Sequence, residues 1–265
     1  MIQVLQRAFD IVEMLAEAPE QPRPLREIAG RLRLHPATCA NILRTLAERG
    51  YVDQPVPRQG YLLGPALHHA VRHGPYRKDL TAVAEPLMAA LAKAVDETVL
   101  LVTLRQGRRF VLCQIDGRQA VQVGRNFLFQ TTTYETATGR LLLASLDPDA
   151  LEDVVRRAGL PGRPWPEAAT RPQLQRALAA IRGAGWVCLS RPEGVVGLAF
   201  PVRNAAGAVA AALGLFLPAG RWRGRHRQEI VKGLRETAEG ITRGLSASAA
   251  PSEARGVHEK EDDRA

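Results

Sequence analysis

Three cysteines, at 39, 113 and 188, stand far apart in a chain of 265 residues. They form no CxxC pair and no Cys/His cluster at zinc spacing, which argues against a disulfide framework and a structural metal. Each lies in an apolar pattern and is expected to be a buried free thiol. Lysine occurs only at 78, 93, 232 and 260, so the net charge of +9 is carried by arginine. A positive balance suits a polyanion partner without requiring one. The first 75 residues hold nearly as many acids as bases, and the densest basic run, "RWRGRHR" (Arg221 to Arg227), is expected to be the solvated start of a last helix. No apolar run approaches the ~20 residues of a membrane span. The N-terminus mixes acids with its apolar residues and lacks a signal-peptide layout. These absences lead to the expectation of a cytoplasmic chain with no membrane partner. GxSxG, GxxxxGK[ST], HExxH and a GxGxxG following a strand are all missing, so no enzyme and no cofactor are expected. His68, His69 and His73 cluster, but no acid or cysteine at helical spacing completes a metal site, and no metal is expected.

What is present divides naturally into two parts, as the length suggests. Val4, Ala8, Ile11, Val12 and Leu15 recur at helical spacing, and the turn "APEQPRP" ends that helix. Leu25, Ile28, Ala29 and Leu32 mark a short second helix. The third opens on Pro36, where the missing N–H costs nothing. Its buried stripe is Cys39, Ile42, Leu43 and Leu46, and it stops at Gly50. "YVDQ", "PVPRQG" and "YLLG" then read as two strands joined by a wing. Three helices and a hairpin make a winged helix-turn-helix. The outer or flanking positions of the third helix are Pro36, Ala37, Thr38, Ala40, Asn41, Arg44 and Thr45. Asn pairs with adenine, Arg with guanine or phosphate, and small alanines let the backbone approach base edges. The helix start with Thr38 suits a phosphate. Arg58 and Gln59 at the wing tip suit the DNA backbone or minor groove.

Gly64 to Tyr76 reads as a connector that starts helically and breaks at Gly74-Pro75, followed by a helix from about Leu80 to Val95. From Thr98 the pattern changes. "TVLLVTLRQ", "RFVLCQID" and "QAVQVG" are strand-like. "TATGRLLLASL", "PDALEDVVRRA" and "RPQLQRALAAIRGAG" are helical. "WVCLSRP", "GVVGLAFPVRN" and "GAVAAALGLFLP" are strands, and a closing helix spans Gln228 to Leu245. A sheet flanked by helices follows, an α+β sensor-type domain. "TATG" offers small side chains and backbone N–H groups at a helix start, which suits a carboxylate. Arg125 can add a charge-assisted bond, and Tyr134, Phe127 or Phe129 can wall a cavity. The tail from Ser246 is Ala/Ser-rich, then charged, a composition expected of a disordered segment.

"REIAGRL", "LRTLAERGYV", "YLLG", "TATGRLLLA" and "GLAFPV", in this order, resemble the IclR family of bacterial transcriptional regulators, with similarity from Val4 to Leu245. Three features depart from the family pattern. Arg26 stands where a Ser or Thr usually opens the second helix. Asn41 stands at a usually basic position, and "RNFLFQTTTYE" replaces a proline and histidine. The resemblance implies an N-terminal winged helix over 1–64, a linker over 65–79, a GAF-like effector-binding domain over 80–246 and a tail over 247–265. It places the effector pocket among Gly124, Arg125, Tyr134, Thr136, Ala137, Thr138, Gly139, Cys188, Ser190, Glu193, Gly194 and Val195. Implied partners are double-stranded operator DNA, a small-molecule effector such as a carboxylate, and further copies of the chain in a homodimer or homotetramer. The competing readings are an architectural DNA-binding protein without ligand control and an enzyme with a sensor-like domain.

Overall fold

A computed structural model describes residues 2–56, 59–73, 78–119 and 133–248. The chain divides into two compact units, at residues 1–76 and 77–265.

The first unit begins with α1 (Gln3–Ala16), α2 (Leu25–Arg31) and α3 (Pro36–Glu48). The two-residue strands β1 (Val52–Asp53) and β2 (Leu62–Leu63) follow, then α4 (Pro65–His73). Ile11, Leu15, Ile28, Cys39, Ile42, Leu43 and Val52 form one core among the three helices and the hairpin. β1 and β2 pair antiparallel, and Tyr61 exchanges backbone hydrogen bonds with Arg23, so the segment before α2 joins the ribbon. Gly64 is needed at the exit of this ribbon, because a Cβ there would meet the Gly50 carbonyl oxygen at 2.1 Å. Two expectations are corrected. α2 lacks a side-chain cap, as expected, but the capping position is Pro24 and Arg26 lies inside the helix. In α1 the core takes Ile11, Met14 and Leu15, while Val4 lies exposed beside Leu5 and Phe9, the last 65 % exposed.

The second unit opens with α5 (Lys78–Val95), then β3 (Thr98–Arg105) and β4 (Arg108–Ile115). α6 (Ala137–Ala144), α7 (Pro148–Ala158) and α8 (Arg171–Ala184) come next. β5 (Val187–Ser190), β6 (Val195–Arg203), β7 (Val209–Pro218) and α9 (Gly224–Ser248) complete it. The five strands form an antiparallel sheet in the order β4-β3-β7-β6-β5. Both faces are covered, which explains strands that read as continuous apolar runs rather than alternating ones. Val99, Leu101, Leu198, Leu213 and Leu215 face α5 and α9. Leu100, Val102, Ala199, Ala212 and Phe216 face α6 on the other side. Behind α6, Leu143, Val154, Trp165 and Leu178 form a further core with α7 and α8. The expected strand "QAVQVG" falls mostly outside the described residues.

The basic run before α9 differs from its expectation at one position. Arg221 is half-buried and paired: its Nε and NH2 donate to Glu97 at 2.6 and 2.5 Å, and His226 Nε2 lies 3.2 Å from the same carboxylate. Glu97 is only 2 % exposed. A buried carboxylate requires such partners, and they tie the start of β3 to the start of α9.

Candidate functional site

Two surfaces carry the chemistry, one in each unit. On α3 the core takes Cys39, Ile42 and Leu43. The 3.6-residue period therefore turns Pro36, Ala37, Asn41, Arg44 and Thr45 outward, with Thr38 and Ala40 half-buried at the flanks. The His35 ring Nδ1 accepts from the Ala37 N–H at 3.3 Å and caps the helix. This occupies one donor at the helix start. Arg44 donates to the Asn41 side-chain oxygen at 2.9 Å, and Thr45 bonds back to the Asn41 carbonyl. Gln59 lies exposed on the wing, and Arg58 lies outside the described residues.

In the second unit a small cavity lies between the sheet and the start of α6. Its floor is apolar: Leu100 of β3, Phe216 of β7, Val195 of β6 and Leu189 of β5. Glycine makes room for the helix. A Cβ on Gly214 would meet Thr138 Cγ2 at 2.4 Å, and a Cβ on Gly139 would meet the Thr133 carbonyl oxygen at 1.9 Å. Thr136, Ala137 and Thr138 line the roof. Thr136 is also the helix cap, its Oγ1 accepting the Gly139 N–H at 3.1 Å. Arg109, Glu135 and Arg191 supply charge to the lining. Burial lowers the Arg109 guanidinium to about 10, so it remains cationic at neutral pH. Arg191 donates to the Glu193 carboxylate and to the Glu135 carbonyl. The Arg191 bond holds the Glu193 carboxyl below its ordinary range.

The sequence-derived pocket residues separate on this geometry. Thr136, Ala137, Thr138 and Val195 line the cavity together. Cys188 and Ser190 do not. They pair with Leu198 and Val196, residues of the α5/α9 face, whereas Leu189 and Gly197 face the cavity. Strand side chains alternate, so Cys188 and Ser190 lie on the face opposite Leu189. Cys188 is also exposed rather than core. Tyr134 is corrected too. It packs behind α6 with Leu143 and Trp165, and its hydroxyl donates to the Gly159 carbonyl at 2.7 Å. Burial raises its phenol pKa. Gly139 serves the packing of the helix start. Glu193 is exposed, and Gly194 forms the turn at φ 74°. Gly124, Arg125, Phe127 and Phe129 lie outside the described residues. Sequence reasoning missed Arg109 and Arg191. Arg109 sits in the short alternation Arg109-Val111 on the cavity side of β4, but the pairing register skips Leu112 of the same strand, and this hides the phase.

A winged helix-turn-helix joined to a separate helix-flanked sheet with its own cavity defines a DNA-binding regulator. The chain belongs to the IclR family: residues 75–243 match the model of the bacterial transcriptional regulator IclR C-terminal domain, and residues 4–55 match the IclR helix-turn-helix domain. It is 30 % identical over 256 residues to the glycerol operon regulatory protein of Streptomyces griseus, covering 93 % of this chain and 97 % of that one. It is 25 % identical to the regulator KdgR of Escherichia coli, covering 89 % and 90 %. Among solved structures it resembles an IclR transcriptional regulator from Alicyclobacillus acidocaldarius at 26 % identity and TM-score 0.67, covering 92 % and 99 % of the two chains. An IclR homologue from Microbacterium hydrocarbonoxydans, complexed with 4-hydroxybenzoate, superposes at 25 % identity and TM-score 0.68, covering 92 % and 99 %. The family is one of DNA-binding transcriptional regulators, not enzymes. No described helix is long and apolar enough to cross a membrane.

Proposed function

We propose that this chain is a cytoplasmic, ligand-responsive repressor of a metabolic operon, with a small organic acid as effector. The observation that carries the reading is the cavity under α6, an apolar floor with cationic side chains in its lining. Apolar pockets with a few convergent polar groups are the usual form of small-molecule sites, and a guanidinium matches a carboxylate. The IclR homologue solved with 4-hydroxybenzoate holds an acid of this kind. On the DNA side, α3 reads an operator through Asn41, Arg44 and Thr45, while Pro36, Ala37, Thr38 and Ala40 set the approach; the sequence assigns Arg58 and Gln59 to the DNA backbone or the minor groove. The exposed Val4, Leu5 and Phe9 of α1 form an apolar patch that supports association with a second copy. A symmetric dimer places two α3 helices on a repeated or palindromic site.

Effector binding shifts the population between DNA-competent and DNA-incompetent arrangements. Such coupling is typically about 1–3 kcal/mol, or roughly 5- to 150-fold in affinity. The test is fluorescence anisotropy of the chain on its own promoter fragment, with a panel of small carboxylates, for the wild type and Val195→Trp. An acid that releases the wild type from DNA but leaves Val195→Trp bound supports the reading. Release of both to the same degree places the effector elsewhere.

A further inference from the structure

We infer that the groove between α9 and the free edge of β5 is a docking surface for an extended acidic segment of a partner protein, which adds a strand to β5 and sets its carboxylates against Arg227 and Arg235.

Among the described residues β5 pairs on one side only, with β6, and so forms an edge of the sheet. Half of its backbone N–H and C=O groups point outward, a template for another strand. The edge is short, but Val187–Ser190 carries neither the charge nor the proline that usually protects one. Trp186 continues the face of Cys188 and Ser190, turned toward α9. It stacks on Phe200 of β6 at 5.3 Å and stays half-buried. Burial raises the Cys188 thiol and the Arg227 charge opposes it, which puts this strand beside the start of α9. α9 packs over β6 and β7. A strand added about 4.8 Å beyond β5 therefore runs along the flank of that helix.

The flank is already hollow. Two depressions share Trp186, Arg235 and Glu239 and run together along α9 from Gly224 to Arg243. At about 1.5 Å per helical residue this is roughly 28 Å, the length of an extended segment of about eight residues. Trp186, Phe200 and Val231 give the groove apolar lining. Five basic and two acidic residues supply its charge. Lys232 and Glu236 pair with each other at 3.9 Å, which leaves Glu239 the one acid among Arg203, Arg227, Arg235 and Arg243. Arg235 rests on the Phe200 ring and Arg227 on the Trp222 ring, at 5.8 and 5.3 Å from the centroids. A guanidinium held on a ring face keeps its N–H edge for a carboxylate.

This pattern selects the occupant. A second copy paired edge to edge across a two-fold axis brings two cationic rims together, which is repulsive. Duplex DNA suits the rim but offers nothing to the Trp186–Phe200 stack. An extended segment with acids on either side of an apolar anchor satisfies the strand edge, the apolar lining and the rim at once.

The experiment is fluorescence anisotropy of the full chain with a labelled octapeptide in which threonine alternates with glutamate, one central glutamate being replaced by leucine. Binding is expected for this peptide and not for its lysine counterpart. The double variant Arg227→Glu/Arg235→Glu should lose about tenfold or more in affinity, since it sets like charges against the peptide. Both side chains are exposed, so the melting temperature should hold; Arg227→Gln/Arg235→Gln takes the place of the reversal if it does not. The same peptide N-methylated at alternate residues should bind about tenfold more weakly or less, because it cannot complete the ladder. Equal binding of the lysine peptide, or undiminished binding by both double variants, overturns the role of the arginines. Undiminished binding of the N-methylated peptide overturns strand addition. Binding seen only when the chain ends after Ser248 assigns the groove to the chain's own tail, and a peptide that splits an oligomer in sedimentation assigns it to a second copy; either result overturns the partner segment. Displacement of the peptide by an equal concentration of oligothymidylate makes the occupant a nucleic acid and overturns it too, as does no binding to the wild type at about 1 mM.

Discussion

Asn41 and Arg44 hold each other on the free surface of α3 through a single exposed hydrogen bond. Such a bond contributes little to folding, because water offers the same partners. Arg44→Ala is therefore expected to leave thermal unfolding unchanged while weakening promoter binding by about tenfold or more, the scale of one base or phosphate contact. An anisotropy titration with undiminished affinity would remove Arg44 from the interface. Glu97 is the opposite case. Its carboxylate is buried, and Arg221 is its main partner. Arg221→Met should destabilise the chain by about 3 kcal/mol, since it strands a charge in the interior, and urea unfolding measures this. Cys113 gives a pH signature. Burial first, then the Glu85 charge, raises its thiol from 9.0 to about 11. Between those values the native thiol keeps a proton that the unfolded chain has lost. The native state then binds more protons, so stability falls as pH rises through this window. Urea unfolding at pH 9 and pH 11 should show a shallower decline in Cys113→Val than in the wild type.

Helix and strand identity was largely readable from periodicity, and facing was not. α3 exposes the stripe its spacing predicts, since a 3.6-residue pattern fixes the buried side once Cys39, Ile42 and Leu43 are placed. β5 shows the limit. In "VCLS" neither face is purely polar, so nothing local says whether Cys188 or Leu189 faces the cavity; pairing with β6 decides it. The same holds for α1, where Val4 continues the apolar repeat yet stays exposed. The close approach of α5 and α9 was also invisible, because the glycines responsible lie at 233, 240 and 244, and their meaning comes from the partner. A Cβ at these positions would meet Leu91 Cδ1 at 2.7 Å, Leu87 Cδ1 at 3.4 Å and Val83 Cγ1 at 2.5 Å. Large side chains there force the helices apart, and overpacking of this kind costs about 1–3 kcal/mol. Gly244→Leu is expected to lower the urea midpoint accordingly. An unchanged midpoint would show that the helix pair tolerates the wider spacing.

At the scale of the whole chain, each unit closes its own core. The three α1–α3 helices and the hairpin share one cluster, and the last residues packed on the sheet of the second unit are Ile241 and Leu245. Ending the chain after Ser248 should therefore leave the melting temperature and the sedimentation behaviour unchanged, and a shift in either would assign residues 249–265 a part in packing or association. The α5/α9 contact has one more consequence. On the α9 side Gly233, Gly240 and Gly244 take the α5 side chains Leu91, Leu87 and Val83, while Ile230, Leu234, Ala238 and Ile241 of α9 join the shared core. α5 also leads directly into β3, whose Leu100 forms part of the cavity floor. One rod thus joins the glycine-lined contact to the floor of the cavity.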